Sequence, residues 1–107
     1  MALGEFEMIV LFALARLGEG AYGMAIWREI RDRTEREVSV GALYTTLDRL
    51  EEKGFVGSSV GEPTSQRGGR RKRHFEIKAA GRAELEASWE TLMKMRRGVS
   101  LPAGARS

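Results

Sequence analysis

The chain has no cysteine, a single histidine and only two prolines among its 107 residues. Without cysteine there is no disulfide framework, no thiolate ligand for zinc or an iron–sulfur cluster, and no cysteine nucleophile. With His74 as the only imidazole, a two-histidine metal site cannot form within one chain. The missing disulfides fit a reducing compartment, so we expect a cytoplasmic protein that uses no metal and no cofactor.

Long apolar runs are also lacking. The longest, Met8 to Ala15, has eight residues, whereas a helix that crosses a bilayer needs about 20. Glu5 and Glu7 precede this run, where a secretory signal peptide would have basic residues. We therefore expect neither membrane insertion nor export.

The composition is that of a globular domain. Hydrophobic residues make up 42% of the chain and charged residues 31%, which disfavours wholesale disorder. A chain of this length fits one domain with one core.

Charge is distributed unevenly along the chain. Residues 1–66 contain 7 Lys and Arg against 11 Asp and Glu, while residues 67–107 contain 11 against 4. The densest positive stretch lies next to His74 and consists of Arg67, Arg70, Arg71, Lys72 and Arg73. A solvated loop would explain such a run, but its strength favours a polyanionic partner.

Three helices are predicted in the first half of the chain. Apolar periodicity indicates a first helix over Glu5–Leu17 and a second over Tyr22–Arg36. Ser39 is a suitable N-cap for a third helix that runs to Lys53 and stops at Gly54. Because the first helix is apolar on nearly all sides, it is expected to need a second packing partner.

The third helix has two different faces. At about 100° per residue, its apolar face contains Val40, Leu43, Leu47 and Leu50. The opposite face contains Gly41, Ala42, Thr45, Asp48, Arg49 and Glu52. The N-terminal half of that face is small and free of acid, whereas Asp48, Glu51 and Glu52 crowd the C-terminal half.

A hairpin and a last helix are predicted in the second half. Residues 55–60 and 72–78 have strand-like patterns, with Phe75 and Ile77 alternating with polar residues. The connecting loop, residues 61–71, is longer than the usual hairpin loop of about 2 to 5 residues. Residues 79 to about 97 return to helix, with an apolar row that includes Leu85, Trp89 and Leu92. The final residues, 99–107, are predicted to form a flexible tail.

Two motifs suggest enzymes, and neither has the expected context. Gly18, Gly20 and Gly23 match G-x-G-x-x-G, but a dinucleotide site needs this motif to follow a strand of a parallel sheet. Here it follows a helical stripe, so turn glycines are the better interpretation. His74 as a general base would need a nucleophile and an orienting carboxylate, and no nucleophile elbow is present. We therefore predict that the protein is not an enzyme.

Three strings resemble the PadR family of bacterial transcriptional regulators: AYGMAIWREI at 21–30, VSVGALYTTLDRLEEKGFV at 38–56 and RGGRRKRHFEIKAAGRAEL at 67–85. The resemblance extends from Leu3 to about Arg97. It implies a mainly α winged helix-turn-helix with a β-hairpin wing at 55–78, together forming a domain over residues 1–98. It also implies that the helix at 79–98 mediates homodimerisation, and that most members act as repressors whose third helix reads an operator.

Two residues depart from the family pattern. Lys78 stands where the family usually has a threonine that caps the last helix, and lysine cannot accept a bond from the helix N-terminus, which forgoes about 1 kcal/mol. Phe75 stands where the family often has tyrosine, so the core contact is kept and a hydroxyl is lost.

The predicted function is sequence-specific binding of double-stranded operator DNA by a homodimeric repressor. Direct contact with DNA is expected from Ser39, Gly41, Ala42, Tyr44, Thr45, Thr46, Arg49, Arg67, Arg70, Arg71, Lys72 and Arg73. In a winged helix the third helix enters the major groove and the hairpin reaches the backbone beside it. Gly41, Ala42, Thr45 and Thr46 would approach base edges, and the basic residues 70–73 would neutralise phosphate.

Two alternatives remain open at this stage. A flat aromatic effector could stack on Trp89 and relieve repression, or Trp89 could simply be a packed interface residue. The rival function is a winged-helix module that binds protein through its first and last helices. The basic stretch from Arg67 to Arg73 discriminates between the two functions, because DNA binding requires it and protein binding does not.

Overall fold

The computed structural model describes residues 3–61 and 72–102. Within these stretches, the elements in chain order are α1 (Glu5–Leu17), β1 (Ala21–Tyr22), α2 (Gly23–Thr34), α3 (Val40–Glu52), β2 (Val56–Val60), β3 (Arg73–Ile77) and α4 (Ala79–Arg96). The strands form one antiparallel sheet in the order β1-β3-β2. The predicted fold class, mainly helical with a hairpin wing formed by β2 and β3, is confirmed.

The second helix differs from its prediction at both ends. Ala21 and Tyr22 pair with Phe75 and His74 of β3, so α2 begins at Gly23, and the sheet has one strand more than predicted. A two-residue strand is too short to show alternation in the sequence. The helix ends at Thr34 because Glu35 adopts a left-handed conformation, with φ of 56°.

The core is built around α1, which packs against α2, α3, α4 and β3. Val10, Leu11 and Leu14 are fully buried. The second packing partner expected for this helix is thus supplied largely by other helices of its own chain. Met8 is buried as well, and Phe12 is left 41% exposed.

A buried carboxylate ties the start of α1 to the end of α3. Glu7 is 9% exposed, accepts a hydrogen bond from the Gly4 N–H at 2.9 Å, and forms an ion pair with Lys53 at 2.8 Å. Burial by itself raises the pKa of Glu7, but the bonds from Lys53 and Gly4 and the charges of Lys53 and Arg49 outweigh it and lower the pKa. Glu7 is thus held charged inside the fold.

Helix α4 begins without a side-chain cap, as expected from Lys78 at the N-cap position. Its first half packs on the domain, where Leu85 and Ser88 are buried and the Ser88 hydroxyl accepts a bond from the Leu3 N–H at 3.2 Å. The second half, which begins at Trp89, is mostly exposed. The described chain continues without helix or strand from residue 99 to residue 102, and the flexible tail over 99–107 stays a prediction.

Candidate nucleic-acid interface

The exposed side of α3 matches the predicted reading face over its first half. The Ser39 hydroxyl accepts from the Ala42 N–H at 3.0 Å, which confirms Ser39 as the N-cap. Gly41, Ala42 and Thr45 are exposed, and so is Arg49 farther along. Because glycine and alanine side chains are so small, another surface can approach this part of the helix backbone closely.

Thr46 requires a correction. Its side chain is only 6% exposed, because it lies on the side of α3 that contributes Leu43, Leu47 and Leu50 to the core. A buried threonine presents no hydroxyl to a base edge, so Thr46 supports the helix instead of reading DNA. Val40, predicted on the apolar face, is 41% exposed at the first turn.

Tyr44 lies at the border of the two faces and is half-buried. Its ring meets Phe75 edge to face, with centroids 6.2 Å apart. The ring also lies against the first residue of α2: a Cβ added at Gly23 would come within 2.0 Å of the Tyr44 hydroxyl oxygen. Only glycine allows α2 and the Tyr44 ring to approach this closely.

This contact explains one glycine of the G-x-G-x-x-G string. The other two, Gly18 and Gly20, have φ of 80° and 73° in the turn after α1, a conformation that favours glycine. The string follows a helix and not a strand of a parallel sheet. All three glycines therefore have structural roles that require no nucleotide.

A basic cleft of about 500 Å³ adjoins α3 at Tyr44, which borders the predicted reading face. It is lined by Tyr22, Met24, Arg28, Tyr44, Lys72 and Arg73. Cations from α2 and from the start of the wing thus flank one depression. Ammonium and guanidinium groups in such a position are suited to the phosphates of a nucleic-acid backbone.

Aromatic contacts stabilise the side of the basic cleft that is formed by β1 and the start of the wing. Tyr22 stacks on His74 with ring centroids 4.3 Å apart, and the Lys72 ammonium lies 4.9 Å from the centre of the Tyr22 ring. The sequence alone did not predict Tyr22, Met24 and Arg28 at this site. The four-residue spacing of Met24 and Arg28 places them on one face of α2. The sequence does not reveal that this face packs next to the wing in the folded chain.

Arg73 does not face the basic cleft as a free cation. Its Nη2 lies 2.6 Å from Oε1 of Glu51 and 3.1 Å from Oδ1 of Asp48, and its guanidinium carbon lies 4.8 Å from the centre of the Phe75 ring. Two carboxylates of α3 thus lie against its charge, and the expectation that Arg73 neutralises phosphate stays a prediction.

Glu51 is the centre of that arrangement. Its Oε2 accepts a bond from the Ser58 hydroxyl at 2.7 Å while Oε1 faces Arg73. The Ser58 bond, followed by the bond and charge of Arg73, lowers the pKa of Glu51 despite some desolvation. The carboxylate therefore stays ionised between α3 and both strands of the wing.

Three of the predicted DNA contacts, Arg67, Arg70 and Arg71, lie outside the described residues. Their assignment stays a prediction. In the described part of the wing, Lys72 and Arg73 both belong to the predicted basic stretch and line the basic cleft.

Trp89 lies on α4 and packs edge to face on Phe12 of α1, with centroids 5.9 Å apart. It keeps 43% of its surface exposed. Farther along α4, Leu92 and Met95 are 46% and 77% exposed. The second half of α4 thus exposes apolar side chains, and this is the helix that was predicted to contact a second copy.

Over residues 3–61 and 72–102, no group of acidic and histidine side chains is placed to hold a metal ion. In the same ranges no helix has the length and apolar character needed to cross a membrane.

Comparison with solved structures supports the winged-helix interpretation. A transcriptional regulator from Clostridium thermocellum is 26% identical, with a TM-score of 0.72 over 85% of each chain. A PadR family transcription regulator from Clostridium difficile R20291 is 24% identical, with a TM-score of 0.68 over 87% of this chain and 95% of that one. The ORC1 protein of Aeropyrum pernix, solved in complex with DNA, shares the fold at 20% identity and a TM-score of 0.66, over 91% of this chain and 26% of its own.

None of the curated proteins compared with the chain matches it significantly. The sequence model of the family described as "Transcriptional regulator PadR-like family" matches residues 10–87, which is most of the chain. That family consists of DNA-binding transcriptional regulators and not of enzymes. The match, together with the helices, the wing and the basic cleft, shows that this chain belongs to the PadR-like family of transcriptional regulators.

Proposed function

We propose that the protein is a homodimeric repressor that binds operator DNA in the cytoplasm through α3 and the wing. The observation that carries this proposal is the basic cleft, which adjoins the small-residue half of α3. The functional unit would be residues 1–98, with residues 99–107 as a tail. Occupation of a promoter by such a dimer would exclude other proteins from the same DNA.

Binding would use two sets of residues. Gly41, Ala42 and Thr45 would let α3 approach base edges in the major groove, and Arg49 would extend the contact with its exposed guanidinium. Phosphates would be bound by Arg28 and Lys72 from the two sides of the cleft, by the Tyr44 hydroxyl, and by Ser39 at the start of α3. Arg67, Arg70 and Arg71 would add further phosphate contacts.

The dimer is proposed because the second half of α4 exposes apolar side chains. Leu92 and Met95 of α4, and Val99 and Leu101 just after it, are at least 46% exposed, and Phe12 and Trp89 are 41% and 43% exposed. Clusters of this kind mark protein–protein interfaces. A second copy of α4 packed in an isologous way would cover them.

Relief by a small aromatic ligand is the finer part of the proposal. The exposed face of Trp89 would accept a flat ring, and movement of α4 would change the spacing of the two copies of α3 on DNA. Titration with planar aromatic compounds should quench tryptophan fluorescence in the wild type and not in Trp89→Phe, in which only Trp27 emits. Equal quenching of both proteins would refute this role.

The DNA-binding assignment is tested by comparing a selected duplex with a random one. The duplex is first enriched from a random pool, and affinities are then measured by fluorescence anisotropy. We expect Arg28→Ala with Lys72→Ala to weaken both duplexes alike, because phosphates carry no sequence information. We expect Thr45→Ala with Arg49→Ala to reduce mainly the preference for the selected duplex.

Thr46→Ser provides the matched control. It changes a neighbouring threonine that is buried, so the preference for the selected duplex should persist. If the cleft variant altered sequence preference while the α3 variant left it intact, the two assignments would be reversed. If the wild type bound neither duplex, the proposed function would be wrong.

A further inference from the structure

A group of side chains joins the acidic half of α3 to the wing. We name it the Arg73 cluster, and it consists of Asp48, Glu51, Ser58 and Arg73. Arg73 on β3 contacts both carboxylates, and Ser58 on β2 donates to the oxygen of Glu51 that Arg73 leaves free. Both strands of the wing are therefore attached to one carboxylate of α3.

The cluster reduces the negative charge that the C-terminal half of α3 would present to DNA. The C-terminal half of α3 carries Asp48, Glu51 and Glu52, and three carboxylates on a helix that approaches DNA would repel phosphate. Arg73 lies within 3.1 Å of two of them. It balances charge within the protein at the place where the wing meets the helix.

The cluster also fixes the neighbour of Arg73. Lys72 immediately precedes the strand, and its ammonium lies over Tyr22 at the basic cleft. A wing held to α3 through Arg73 keeps Lys72 at that position, because Lys72 is bonded directly to the first residue of β3.

We infer that Arg73 is a positioning residue, which holds the wing on α3 and neutralises its acidic end, and is not itself a phosphate ligand. This inference rests on the proposed DNA binding. The inference also gives Glu51 a role: although it is acidic and lies on the DNA-binding helix, it supports DNA binding by holding Arg73 in place.

Removing the charge of Glu51 should change DNA affinity in the direction opposite to simple electrostatics. Removing a negative charge from a DNA-binding surface ordinarily strengthens binding. Glu51→Gln should instead weaken the binding of a random duplex by about twofold to fivefold, the size expected when a partly exposed ion-pair network is lost. Glu52→Gln removes the same charge one residue away, from an exposed side chain. Its affinity should be unchanged or higher.

A second measurement uses the free protein and needs no DNA. Hydrogen–deuterium exchange of the β2 and β3 amides should become severalfold faster in Glu51→Gln and in Arg73→Met. Methionine retains an unbranched apolar chain against Phe75 while removing the charge. Lys72→Met, which removes the adjacent cation, should leave exchange in these strands unchanged.

The outcomes separate this inference from the proposed function. Weaker DNA binding by Glu51→Gln together with faster strand exchange supports it. Tighter binding by Glu51→Gln would mean that Arg73 had been released onto phosphate, and the inference would be overturned. Unchanged strand exchange in both cluster variants would overturn it too. If the wild type failed to bind DNA, the proposed function would fall, and the exchange data would still decide whether Arg73 anchors the wing.

Discussion

The contact between Gly23 and Tyr44 gives the sharpest test of how α2 and α3 are joined. A Cβ at Gly23 would lie 2.0 Å from the hydroxyl oxygen of Tyr44 and 2.5 Å from Cζ. Ordinary contact begins at 3.4 Å, so the ring would have to withdraw by about 1.4 Å. The ring cannot move freely, because its other side packs against Phe75.

Gly23→Ala changes the free energy of unfolding through two opposing effects. Overpacking costs about 1 to 3 kcal/mol. Replacing a helical glycine by alanine recovers about 0.5 to 1 kcal/mol of backbone entropy. The net effect should be a loss of about 1 to 2 kcal/mol in the free energy of unfolding, which is read from urea denaturation followed by circular dichroism.

The control is a double-mutant cycle. In a Tyr44→Ala background the three atoms nearest to the new methyl group are removed, so Gly23→Ala should be neutral or stabilising. The coupling between the two positions should then be about 1 to 3 kcal/mol. All variants are measured at one protein concentration, because dimerisation would add to apparent stability. Additive effects would refute the close packing of α2 on Tyr44.

Two further outcomes are expected. Because the pKa of Glu7 is lowered in the fold, its contribution to stability is present above its ordinary value of 4.5 and is lost as pH falls through the lower folded value. As the pH falls below 4.5, the free energy of unfolding should therefore decrease less in Glu7→Gln than in Glu52→Gln. Equal decreases in the two variants would contradict the role of Glu7. Sedimentation should show a dimer at micromolar concentration, and Leu92→Lys should shift it toward monomer while Lys94→Gln should not; a wild type that sediments as a monomer throughout would contradict the α4 interface.

The sequence predicted the helices and wing well because their signals are local. The cap at Ser39, the stop at Gly54 and the alternation around Phe75 each depend on a few neighbouring residues. Strand β1 could not be predicted in this way, because two residues carry no period and Ala21 pairs with a residue 54 positions later.

The candidate site was predicted less completely, because charge pattern does not reveal which charges face each other. Arg73 belongs to the basic stretch in sequence, yet the fold places it on the carboxylates of α3. The sequence does not distinguish Arg28 from the other charged residues of α2, and only the fold places it on the same cleft as Lys72. Thr46 differs from Thr45 only by one step of about 100° around the helix, which is enough to bury it.

The central claim is that this chain binds DNA through α3 and the basic cleft, and the salt dependence of binding tests it most directly. The dissociation constant for a short random duplex should rise steeply with salt, with a slope of about 0.9 in log–log form for each phosphate contacted. Arg28→Ala with Lys72→Ala should flatten that slope by the contacts it removes. Binding that is absent, or that has the same slope in the wild type and this variant, would contradict the claim.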